Sequence, residues 1–118
     1  MAQVMFNHVG DKPPFFDGTC YDYWKRKMRM YLGSINDQVW EVTEKDYAII
    51  DPDNPTNQDK TNKQCNIMAL NTIYNAIDSK VFEQIKDCHR ANEVWKRLEE
   101  TYEGTPEVKS GCIFSRIS

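Results

Sequence analysis

Apolar residues recur at helical spacing in five separate stretches of this 118-residue chain, and none alternates with the period of two expected of a half-buried strand. A chain patterned this way buries its side chains by packing helix on helix, so the expected fold is an all-α compact bundle of about five helices. Glycine and proline punctuate the pattern: Pro13-Pro14, Gly18, Gly33, Pro52, Pro55 and Gly104 fall between or at the ends of the stretches.

The first stretch is PPFFDGTCYDYWKRKMRMYL, Pro13 to Leu32. Tyr21, Trp24, Met28, Tyr31 and Leu32 share an arc of about 100°, and Lys25, Arg26, Lys27 and Arg29 lie mostly off it. Thr19 is placed to cap this helix, answered by Asp22, and Gly33 to stop it, which predicts a helix over 20–32. A second helix is expected from a Ser34 cap to about Glu41, with Val39 and Trp40 as its apolar side.

Residues 42–58 then read as a long acidic, proline-bearing connection anchored by Tyr47, Ile49 and Ile50. Thr56 and Asp59 form a capping box for the longest helix, 57–77. Cys65, Met68, Ala69, Leu70, Ile73 and Tyr74 occupy most of its circumference, leaving a narrow polar stripe of Gln64, Asn71 and Asn75. That distribution predicts a buried central post. Asp78 or Ser79 opens a fourth helix with Val81, Phe82, Ile85 and Cys88 on one face. A fifth carries Ala91, Val94, Trp95, Leu98 and Tyr102 on one arc and stops at Gly104.

The net charge of −3 disfavours autonomous nucleic-acid binding, because phosphate recognition rests on basic excess. The charge is unevenly placed: the first helix is basic, whereas Asp37, Glu41, Glu44, Asp46, Asp51 and Asp53 make the following region acidic. Cys20, Cys65, Cys88 and Cys112 have no chelating spacing and read as reduced thiols, with Cys65 and Cys88 on apolar faces where burial makes a thiol inert. Neither histidine sits in a catalytic motif, and Asp51 and Asp53 read as turn residues. No enzyme activity, cofactor or metal is expected. No apolar run is long enough to cross a membrane and the N-terminus lacks a secretory pattern, so a cytoplasmic location is expected.

The block Phe16-Asp17-Gly18-Thr19, with Tyr21, Tyr23 and Trp24 ahead of a basic amphipathic helix, resembles the N-terminus of the Gag polyprotein of plant copia-type LTR retrotransposons. The resemblance continues through Asp78 to Phe82 and through Ala91 to Tyr102, covering roughly Pro13 to Ser110. It implies a helical capsid-like domain over 13–110, preceded by a flexible segment, 1–12, and followed by a divergent tail, 111–118. The zinc knuckle of Gag nucleocapsid regions is absent, and the tail reads as that of a truncated or domesticated Gag.

The function implied is non-enzymatic: self-association as a homodimer or higher oligomer, or co-assembly with full-length Gag. The expected contact surface is Phe15, Phe16, Trp24, Lys25, Lys27 and Met28. A domesticated host protein binding a cellular partner through the same groove or the altered tail is the alternative. An accessory role in RNA packaging ranks behind both, RNA binding by this chain alone being disfavoured.

Overall fold

The computed structural model describes residues 12–103, so the expectations for the N-terminal segment, the Gly104 stop and the tail 111–118 lie outside the described residues. Five helices follow in order: α1 Tyr21–Ile35, α2 Asp37–Lys45, α3 Asn57–Tyr74, α4 Ser79–Ile85 and α5 Ala91–Tyr102. Among the described residues there is no strand; one isolated bridge joins Phe16 to Ile77. The all-α bundle is the architecture.

The central element is not α3. α2 packs against α1, α3 and α5, and α5 in turn against α3 and α4. α3 buries Cys65, Asn66, Ala69 and Ile73 but leaves Ile67 54% and Met68 43% exposed, so its apolar residues do not all face a core. Apolar residues spread around a helix do not by themselves say how many sides are covered.

α1 buries Tyr21, Trp24, Met28 and Leu32, as its arc predicts. Its ends differ from the expectation. Asp17 Oδ1 accepts both the Thr19 amide (3.0 Å) and the Thr19 hydroxyl (2.6 Å), so Thr19 closes a turn instead of capping. Cys20 takes the cap position in the left-handed region, φ 57°. At the other end the helix passes through Gly33, and Ser34 donates its hydroxyl back to the Tyr31 carbonyl. Asn36 ends α1 and caps α2, its Oδ1 accepting the Gln38 amide at 2.7 Å.

The Thr56–Asp59 capping box is present at the start of α3. α3 stops at Tyr74, short of Ile77, because the next residues are engaged elsewhere. The Phe16 amide donates to the Ala76 carbonyl (2.7 Å), and the Asp78 amide donates to the Phe16 carbonyl (3.1 Å). Asp78 then caps α4 by accepting the Val81 amide.

Two buried asparagines, unremarked in the sequence pattern, tie helices end to side. Asn66 of α3 accepts the Ala91 amide at the start of α5. Asn92 of α5 donates to the carbonyls of Thr43 and Glu44 at the end of α2. Each satisfies helix-terminal groups that have no partner within their own helix.

The 46–56 connection is anchored at its start: Arg90 donates to Asp46 (2.8 Å) and to the Tyr47 carbonyl, with its guanidinium 4.7 Å from the Tyr47 ring centre. Ile50 is almost fully exposed and anchors nothing. Asp51 accepts from Asp53 and Asn54, as a turn residue does.

Candidate interaction surface

The residues around the entry to α1 are held from the backbone upward. Gly18 sits at φ +99°, a conformation that disfavours a side chain, and lets the chain reverse after Phe16. With its amide and carbonyl both bonded to the 76–78 turn, Phe16 points its ring inward. That ring stacks on Trp24 (centroids 4.8 Å) and meets Tyr102 (4.9 Å) and Tyr21 (5.7 Å) edge-on. Trp24 donates its indole N–H to the Pro14 carbonyl at 2.7 Å. The aromatic block therefore fastens the entry segment to α1, α5 and the α3–α4 turn.

This arrangement divides the six residues expected on the contact surface. Phe16, Trp24 and Met28 are core residues, fully or almost fully buried. Lys25 lies between Glu99 (3.0 Å) and Glu103 (2.8 Å), which ties α1 to α5. Burial opposes its charge, but the hydrogen bonds to Glu103 and Glu99 win and raise its pKa. Phe15, 62% exposed, and Lys27 remain at the surface.

Phe15 and Lys27 border an open cavity of about 290 Å³, with Pro14, Asp17, Tyr23 and Trp24 also lining it. Tyr23, 40% exposed, lies under Lys27, whose Nζ is 5.2 Å from the ring centre and 3.4 Å from the hydroxyl. Tyr23 was readable in the sequence as an aromatic off the apolar arc of α1. The cavity presents aromatic walls with one cation at its edge.

A second open cavity, about 280 Å³, lies between α1 and α2 and is bordered by Asp37, Glu41 and Glu44, with Trp40 and Lys45. Arg29 of α1 stands over the Trp40 ring, 5.4 Å from its centre. The outer side of α1 carries Arg26, Lys27 and Arg29 with Asp22, and that of α2 carries Asp37, Glu41 and Glu44 with Lys45; Arg26 pairs with Asp22 (3.8 Å) and Lys45 with Glu41 (3.9 Å), which leaves α1 net basic and α2 net acidic.

Cys65 and Cys88 are free and buried, and burial pushes both thiols up, away from the reactive thiolate. Among the described residues no group of three His, Cys, Asp or Glu is placed to hold a metal ion, and no helix is long and apolar enough to cross a membrane.

Compared with known families, residues 28–116 match the profile described as gag-polypeptide of LTR copia-type. The matched span begins inside α1, after the aromatic entry block, and runs past Ser110. No curated protein and no solved structure gives a match.

Proposed function

Because this chain belongs to the gag-polypeptide family of LTR copia-type elements, we propose that it is a non-enzymatic interaction module that self-associates or co-assembles with full-length Gag. The family match is the observation that carries this reading. The opposed charge of the outer sides of α1 and α2 supports a head-to-tail contact, in which the basic side of one copy meets the acidic side of the next. Phe15 and Lys27 are the members of the expected surface left free to take part.

Light scattering on a size-exclusion column, over a concentration series at low and high salt, tests this directly. Concentration-dependent species larger than a monomer, shrinking at high salt, are the expected result. Lys27→Glu should weaken association while changing folding stability by less than about 0.5 kcal/mol, since the side chain is exposed. Oligomers of unchanged size in that variant would exclude Lys27 from the contact.

A monomer at every concentration would defeat self-assembly and favour a second reading, binding of a cellular protein. The exposed Phe15 and Tyr23 beside one cavity speak for that reading, since aromatic-walled grooves take peptide side chains.

A further inference from the structure

Of the large apolar side chains that stand exposed among the described residues, Ile50 is the barest, at 96%. Tyr23, Met30, Ile67, Met68 and Phe82 sit inside helices, where the backbone is held in the helical ladder. Phe15 precedes Phe16, whose amide and carbonyl are both bonded to the 76–78 turn. Ile50 differs from all of them. It lies outside the helices, and among the described residues Ala48, Ile49 and Ile50 have no backbone hydrogen-bond partner. The stretch is nonetheless held in place at both ends. Arg90 fixes Asp46 and the Tyr47 carbonyl before it, and the Asp51 turn and the Thr56–Asp59 box follow it.

An endoprotease takes its substrate as an extended strand, pairing with backbone N–H and C=O groups and drawing side chains into pockets. Helical backbone offers neither until it unwinds, so the exposed Ile67 and Met68 are no substrate while α3 is folded. Residues 48–50 offer unpaired backbone and an aliphatic side chain in the folded domain, on the kind of exposed loop where nicking concentrates. Pro52 and Pro55, further along the same loop, lack the N–H that a cleft would bind.

We infer that the Ile49–Ile50 peptide bond is a cleavage site in the folded domain, open to an endoprotease with an aliphatic pocket for the residue after the cut, and that the cut domain stays assembled as two chains. Water adds across the bond: its oxygen goes to the Ile49 carbonyl carbon, and a proton goes to the Ile50 nitrogen, which leaves as a free amine. What joins the two pieces lies away from the loop. Asn92 donates to the Thr43 and Glu44 carbonyls, Gln38 donates to Asn62, and Lys25 pairs with Glu99 and Glu103. Phe16 keeps both of its bonds to the 76–78 turn. The inference goes beyond the self-association reading and does not rest on it. After the cut the two pieces, once parted, must find each other again, so stability becomes a matter of concentration.

Brief treatment of the full chain with dilute thermolysin, which cuts ahead of large aliphatic residues, is the test. Within residues 12–103, mass spectrometry should find the first cut ahead of Ile50. The two pieces should elute together on size exclusion, and dilution should lower the thermal transition of the cut chain more than that of the uncut chain. Ile50→Pro removes both the N–H beside the cut and the aliphatic side chain, and this product should be lost. A first internal cut elsewhere, inside α3 at Ile67 for instance, or no internal cut at all, would overturn the site. Pieces that part on the column would overturn the two-chain domain. Both readings come from the unsubstituted chain, so they decide the matter even if Ile50→Pro fails to fold.

Discussion

The entry to α1 and the outer face of α3 use apolar residues in opposite ways. Around Phe16, Tyr21 and Trp24 the rings pack on one another, and the one cation beside them, Lys25, is paired with Glu99 and Glu103. On α3, Ile67 and Met68 face solvent, and no charged residue follows them before Asp78. An apolar residue stabilises the monomer only where the fold covers it; elsewhere it is free to stabilise an assembly. The difference separates residues that hold this domain together from residues available to join it to another.

The largest effect that tests this division is expected from Phe16→Ala, which removes a fully buried ring touching three others. It should cost about 3–5 kcal/mol, read as a fall in the denaturant midpoint. A loss below about 1 kcal/mol would mean that the block is not the keystone its contacts imply.

Asn66 and Asn71 then compare the two sides of α3 directly. Asn66→Ala leaves the buried Ala91 amide unpartnered and should cost about 1–3 kcal/mol. Asn71→Ala, on the exposed side, should stay within about 0.5 kcal/mol. Equal losses would erase the distinction between the two faces.

The smallest effect near neutrality comes from pH. Burial raises the pKa of Cys65 and Cys88 from the usual 9.0, and that of Tyr21, Tyr74 and Tyr102 from the usual 10.0. For Tyr21, nearby Glu99 and Glu103 add to the rise. With folded pKa values above unfolded ones, the unfolded chain loses these protons first. The stabilisation is complete below about pH 8 and falls as pH rises through 9 and above. Thermal scans from pH 7 to 10.5 should show a flat region and then a decline; constant stability to pH 10.5 would contradict the burial of these groups.

How far the sequence could be read follows the same division. Residues with one dominant local cause were readable: the single-sided arcs of α1 and α5, and the capping box at Thr56 and Asp59. Where two local partners competed, the expectation slipped. Ser34 had a helix carbonyl to bond, so Asn36 became the cap, and Asp17 drew Thr19 into a turn. Burial decided by distant chain was not readable. The 20–32 pattern showed that Trp24 and Met28 share a face, but not that the entry segment and α5 would cover it and leave Phe15 and Lys27 outside. Asn66 and Asn92 looked like any other polar positions, because their partners lie 25 and 48–49 residues away.

The pair of backbone bonds at Phe16 has a consequence for how this domain can be divided. They join positions about sixty residues apart, and the loop between them contains α1, α2 and α3. Closing so long a loop costs conformational entropy that only native packing offsets. A chain trimmed to begin at Met28, where the family match starts, would lack Phe16, Tyr21 and Trp24 as well as that closure. The profile match thus leaves out three aromatic residues on which the packing of the core depends.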